Sequence, residues 1–281
     1  MDRVMYAARV QVMLCSTKSM SGSFLVPEYK LGIWEMTSQF KDKRVLITGA
    51  SPDFGRILAI RFAQQGAEVF LVARTMEKAQ LTAAMVHNFV PEARLHCYGA
   101  DMCFADQIAV LKSQLEKDTD HIDILINNAG YWLQGPFLSV KDEDIVQAIS
   151  STLTGSSLMT KSLLSLLARS HCPDIVNISS VSALPTTSEP AHEAYSAAKK
   201  AMATFASRIR DRMAGSGLRV MTIYPPKFIN HTPTEQGEWE EHAQATEQRY
   251  VTDKDVYQAI NFALLQDRVC CLSDIYMSNN A

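Results

Sequence analysis

A tyrosine and a lysine one helical turn apart, Tyr195-Ser196-Ala197-Ala198-Lys199, are the residues of this chain best suited to moving a proton. At i and i+4 they share one face of a helix. An ammonium held there favours phenolate and lowers the tyrosine pKa toward working pH, which makes the phenol a usable general acid and base. Alone, the pattern occurs often by chance and usually means an exposed helix face. Fifteen residues before Tyr195 stands Ser180, just past the apolar run 175–178. A third feature follows the apolar run 45–47: Thr48-Gly49-Ala50-Ser51-Pro52-Asp53-Phe54-Gly55. Glycines in a strand-to-helix turn let backbone N–H groups approach a pyrophosphate at the helix N-terminus. Any tight turn of this kind uses glycine, so this motif too is weak by itself.

These groups need elements that carry them to one edge of a scaffold. Short apolar runs at 45–47, 69–72, 95–98, 122–126, 175–178 and 220–224 read as buried strands. Between them, helical spacing covers 56–65, 76–89, 108–115, the long segment 142–167, and 192–213, with a last helix at 253–265 and a final edge strand at 274–277. Strands alternating with helices predict βαβ units and one doubly wound parallel sheet in a single α/β domain, 36–281, with a polar loop at about 226–250. Ligands in such folds bind outside the carboxyl ends of the strands. The chemistry is therefore expected just after Ile47, Val72, Tyr98, Ile126, Ile178 and Tyr224.

Those strand ends carry suitable residues. Arg74 follows the second strand, where an arginine can pair with the 2′-phosphate of NADP and an acid would instead bond the ribose of NAD. A solvated surface arginine is the plainer meaning. Asp101 follows the third, placed to accept from an adenine amine or to cap a helix. Asn127-Asn128-Ala129-Gly130 ends the fourth, with small residues against which a ligand can lie.

Composition excludes other classes. With 47% hydrophobic and 20% charged residues the chain of 281 residues can bury a core, and its formal charge of −3 leaves no basic surplus for nucleic acid. No apolar run reaches the ~18 residues of a membrane span. The six cysteines show no Cys-x-x-Cys pair and the seven histidines no metal spacing, so no metal is expected, and buried free thiols suit a reducing compartment. Residues 1–35 match neither a signal peptide nor the domain that follows, and read as a poorly ordered extension. A cytoplasmic location is expected, with organelle import through residues 1–35 as the alternative.

In order and interval, Thr-Gly-x(5)-Gly, Asn-Asn-Ala-Gly, Asn-Ile-Ser-Ser and Tyr-x-x-x-Lys resemble the short-chain dehydrogenase/reductase family over about residues 41–281. The resemblance implies a Rossmann-type seven-stranded sheet and an NAD(H) or NADP(H) cofactor, with NADP(H) indicated by Arg74. Ser180 would orient and polarise the substrate oxygen, Tyr195 would be the general acid/base, and Lys199 would lower its pKa and hold the nicotinamide ribose. The cofactor would contact Gly49, Ser51, Phe54, Gly55, Arg74, Asp101, Met102, Asn128, Gly130, Tyr195, Lys199, Pro225 and Phe228. The C-terminal segment is loosely similar to the branch acting on hydroxy acids and small alcohols. Family members assemble through their long helices, so a homodimer or homotetramer is implied.

Four positions depart from the family pattern. Asp53 replaces the middle glycine of the turn and would repel a pyrophosphate unless its side chain turns outward and caps the helix, with Arg56 as a partial offset. Thr152 stands for the helix asparagine that supports a proton-relaying water. Pro226 replaces a glycine and removes a backbone N–H. The serine-to-tyrosine interval is long, making Ser182 a lesser candidate for the serine role. The leading expectation is an NADP(H)-dependent enzyme interconverting a small-molecule carbonyl and a secondary alcohol. Its pocket would be walled by Tyr131, Trp132, Leu133, residues 181–184 and the 226–250 segment. A dinucleotide-binding scaffold or sensor without turnover is the alternative; a lyase or epimerase on the same fold is a weaker one.

Overall fold

The structure, a computed structural model, describes residues 38–185, 191–231 and 250–279. The extension expected over 1–35, and residues 232–249 of the expected substrate loop, lie outside the described residues. Among the described residues, strands β1 (Arg44–Thr48), β2 (Glu68–Ala73), β3 (Leu95–Gly99), β4 (Ile124–Asn127), β5 (Asp174–Ile178), β6 (Arg219–Tyr224) and β7 (Asp274–Tyr276) pair in parallel in the order β3-β2-β1-β4-β5-β6-β7. Helices α1 (Phe54–Gln64), α2 (Met76–Phe89), α3 (Ala105–Asp118), α4 (Asp142–Ile149), α5 (Gly155–Leu167), α6 (Glu193–Arg212) and α7 (Asp253–Leu264) alternate with them. This is the doubly wound Rossmann-type α/β fold, and strand order reverses direction between β1 and β4.

The two-residue period of the strands divides the core. Val45, Ile47, Val69, Leu71, Ile124 and Ile126 face α1, α2 and α7, meeting Leu58, Val86 and Ile260. Leu46, Phe70, Val72, Leu125 and Ile175 point the other way, onto Leu111 of α3 and Leu163 of α5. Each of these strand side chains is at most 3% exposed, worth about 1.5–3 kcal/mol of burial apiece. A sheet buried on both faces holds its carboxyl ends rigidly in place. At its far edge Arg219 forms a two-pronged bond with Asp174 (2.8 and 2.9 Å) and donates to the carbonyls of Leu264, Gln266 and Cys270 (2.8, 2.9 and 3.2 Å).

Most element boundaries shift by one to three residues from the sequence expectation, and the interior of 142–167 differs in kind. α1 begins at Phe54, directly after Asp53. β4 starts at Ile124, since the Ile122 N–H goes to the Leu166 carbonyl and not into the ladder. The expected single helix over 142–167 is interrupted by a π-helical segment, Ser150–Thr154. Ser150, Ser151, Thr152 and Thr154 are poor helix formers, so a local widening there costs little.

Candidate active site

The β1 and β4 ends are stitched together at the point where strand order reverses. Thr48 Oγ1 accepts from the N–H groups of Asn128 and Ala129, both at 3.1 Å, and donates to the Ile126 carbonyl at 3.3 Å. Asn128 Nδ2 returns to the Thr48 and Gly49 carbonyls at 3.1 and 3.2 Å. Thr48 was singled out in the sequence only as the lead to a glycine; its hydroxyl is in fact the joint of this turn. Gly49 adopts φ 67°, and a Cβ at Gly55 would lie 2.0 Å from the Gly49 carbonyl oxygen. Both glycines are obligatory; at the start of α1 the Arg56 and Ile57 N–H groups donate to the Asp53 carbonyl (3.1 and 3.5 Å), which leaves the Phe54 and Gly55 N–H groups outside the helical ladder.

Two clefts meet at this turn. The first, of about 200 Å³, is lined by Gly49, Ser51, Asp53, Phe54, Gly55, Arg74, Asp101, Met102, Asn128 and Gly130, among others. The second, of about 380 Å³, is lined by Trp132, Ser180, Tyr195, Lys199, Pro225, Pro226 and Phe228, and shares Asp53, Phe54, Asn128 and Gly130 with the first. Every residue expected to contact a cofactor therefore lines one cleft or the other. Arg74 is half exposed and stands 3.8 Å from Asp101, which also accepts from the Cys103 N–H at 2.9 Å.

In the second cleft, Ser180 Oγ accepts from the Ser182 N–H at 3.1 Å. Its own O–H is thereby aimed elsewhere. Lys199 Nζ lies 5.5 Å from the centroid of the Tyr195 ring and donates to the Ile178 carbonyl at 2.6 Å. Ser179 Oγ bonds the Lys199 carbonyl at 3.2 Å, fixing α6 against the end of β5. Complete burial brings the Lys199 ammonium down to about 8. Thr152 is fully buried in the π segment and its Oγ1 has no hydrogen-bond partner. A Cβ at Gly130 would stand 3.1 Å from that oxygen and 3.4 Å from Lys199 Nζ, so a side chain at Gly130 would crowd both.

Several expectations need correction. Asp53 makes no side-chain capping bond; it holds φ 92° and ψ −155°, a backbone region that is essentially glycine's own. Of the expected pocket wall, Trp132 and, from the 226–250 segment, Pro226, Lys227, Phe228 and Asn230 line the second cleft. Tyr131 lines the first, donating to Asp144 at 3.1 Å, and Leu133 is buried against Tyr195. None of residues 181–184 lines either cleft, and Ser182 Oγ is buried without a partner. The five described cysteines are free and half-buried, not buried. Sequence reasoning missed Gln147 and Ser151 in the first cleft. The serine–threonine run at 150–154 was the available signal for Ser151, whereas Gln147 gave none.

The short chain dehydrogenase family profile matches residues 43–242. The chain is 29% identical over 194 residues to nodulation protein G of a Rhizobium species, covering 69% of this chain and 76% of that protein. It is 31% identical over 189 residues to fatty acyl-CoA reductase of Acinetobacter baylyi, covering 66% of this chain and 62% of the reductase. A crystal structure of levodione reductase superimposes with a TM-score of 0.71 at 22% identity, over 85% of this chain and 97% of that one. A metagenomic short-chain oxidoreductase in complex with NADP gives 0.68 at 19% identity, over 85% and 99%. With the profile spanning most of the chain and the turn, the clefts and the Tyr195–Lys199 helix in place, this chain belongs to the short-chain dehydrogenase family of oxidoreductases.

Proposed function

We propose that the protein is an NADP(H)-dependent oxidoreductase that interconverts a carbonyl and a secondary alcohol, with Tyr195 as general acid and base. The observation that carries this reading is the convergence of Ser180, Tyr195 and Lys199 on a cleft that shares its wall with the glycine turn. Gly49, Ser51, Gly55 and Asn128 would hold the diphosphate, Arg74 the 2′-phosphate, and Asp101 with Met102 the adenine. Lys199 and Gly130 would lie along the nicotinamide ribose, and Pro225 and Phe228 along the nicotinamide. The glycine turn supports this fit: Gly49 and Gly55 are packed too closely for any side chain, and both line the first cleft.

When bound, the coenzyme supplies a hydride to the carbonyl carbon or takes one from the alcohol. Tyr195 gives its phenolic proton to the substrate oxygen in reduction and removes it in oxidation. Ser180 donates to the same oxygen, since its lone pair already serves Ser182. The Lys199 ammonium favours the phenolate left behind, and a group at about 8 is still largely charged at neutral pH. Thr152 is assigned to proton resupply, because its unpartnered hydroxyl and the ammonium flank Gly130 together.

The test is a fluorescence titration with NADPH and NADH, then a ketone screen with Tyr195→Phe as control. NADPH binding and Tyr195-dependent turnover are expected, and Arg74→Ala should lower NADPH affinity at least tenfold more than NADH affinity. Equal losses would overturn the cofactor assignment. Asp53 favours one second reading, a binding scaffold without turnover, which cofactor binding with no Tyr195-dependent activity would establish. Free thiols at the described cysteines support a cytoplasmic location, checked by fractionation. Assembly as a homodimer or homotetramer is checked by light scattering. No helix among the described residues is long and apolar enough to cross a membrane.

A further inference from the structure

Trp132 occupies a place that the proton chemistry does not use. It stands two residues past Gly130, with its indole 4.7 Å from the Tyr195 ring, centroid to centroid, at an interplanar angle of 78°. This edge contact fixes the indole directly beside the reacting phenol. Yet 44% of Trp132 remains exposed, and it lines the second cleft. A large aromatic surface is thus left open next to the group that would protonate the substrate. Across the same cleft, Phe228 packs edge-on against Phe54 at 5.2 Å and 75°, and Pro225 and Pro226 complete an apolar wall.

The volume sets the scale of what can enter. A dry apolar cavity of roughly 150 Å³ holds one benzene ring. The second cleft, at about 380 Å³, would take the nicotinamide ring, part of the ribose beside Lys199 and Gly130, and about one further ring. An aromatic wall that is held rigidly at its edge rewards a flat group, because offset stacking adds to plain burial. A flexible chain gains the burial alone and loses rotamer freedom on entering.

We infer that the substrate is a carbonyl or secondary alcohol carried next to a planar ring, and that Trp132 is the residue that selects it. This rests on the reductase reading above and deepens it. Tyr195 and Ser180 read the oxygen; Trp132 reads the ring beside it.

The test compares phenyl methyl ketone with the straight-chain methyl ketone of the same carbon number, in wild type, Trp132→Phe and Trp132→Leu. Leucine keeps apolar bulk at the half-exposed site and removes the ring; phenylalanine restores a ring. In wild type, kcat/KM for the phenyl ketone should exceed that for the chain ketone at least tenfold. Trp132→Leu should erase most of that ratio, and Trp132→Phe should keep it. A second readout is quenching of indole fluorescence by the phenyl ketone in the NADPH complex, which should be lost in Trp132→Phe. Equal kcat/KM for the two ketones, or equal losses for both in Trp132→Leu, overturns the inference while leaving the reductase intact. Trp132-dependent quenching without turnover sustains the ring site and overturns the reductase. Neither quenching nor turnover overturns both.

Discussion

Replacing Asp53 with glycine should make the protein both more stable and a tighter binder of NADPH. At φ 92° and ψ −155° the aspartate occupies a region that costs a residue with a Cβ about 1–3 kcal/mol. Glycine removes that strain but gives back roughly 0.5–1 kcal/mol in chain entropy. The expected net gain is about 1–2 kcal/mol, a rise in Tm of roughly 2–8 °C for a chain of this size. The second effect is electrostatic. A carboxylate near a diphosphate costs ~1 kcal/mol in fully aqueous surroundings and a few times that where water is partly excluded. Asp53 is exposed, so the low end applies: about 1–2 kcal/mol, or roughly five- to thirtyfold in Kd. Asp53→Asn separates the two effects, since it removes the charge and keeps the Cβ. Thermal unfolding and NADPH titration of wild type, Asp53→Gly and Asp53→Asn supply the measurements. Affinity should rise in both variants, and Tm clearly only in the glycine variant. A glycine variant that melts below wild type would refute the strain argument, and an asparagine variant with wild-type affinity would refute the repulsion.

Three further outcomes follow from the geometry. Lys199 has its pKa lowered from 10.5 to about 8 by burial. Between those values the unfolded chain binds the extra proton, so this residue makes stability rise with pH across that window. Lys199→Met should abolish that rise in urea titrations at pH 8 and 10, and should lower kcat at neutral pH. Thr152→Val removes a hydroxyl that has no partner, so Tm should change by no more than about 2 °C while kcat falls tenfold or more; unchanged kcat would remove Thr152 from the proton path. Asp174→Ala leaves the buried Arg219 guanidinium without its carboxylate and should cost about 3–5 kcal/mol by denaturant unfolding; a loss below ~1 kcal/mol would contradict that account.

The parallel sheet was legible because each strand is an apolar run with a turn signal behind it. Most residues of both clefts were legible because such a sheet delivers its ligands to strand ends, whereas Gln147 and Ser151 reach the first cleft from a helix and the π segment. Position on a strand end, however, does not say which way a neighbouring side chain points. Tyr131, Trp132 and Leu133 are consecutive, and the backbone sends one to each cleft and one to the core. Nor do residue types announce an unfavourable backbone. An aspartate after Ser51-Pro52 reads as a helix cap, and only the dihedral angles reveal that it imitates a missing glycine. The π segment escaped for a related reason, since the apolar periodicity of 142–167 continues through it.

The guanidinium of Arg219 has a consequence for how the chain can be cut. It draws three carbonyls, from the last residue of α7 and the stretch after it, and a carboxylate from β5 into one closed set of bonds. A chain ended at about residue 263 would keep the cation inside the protein and discard the oxygens that surround it. Residues 264–276 therefore close the structure around that cation and add the last strand to the sheet, and a trimmed version would be undone from within, with both clefts still encoded in full.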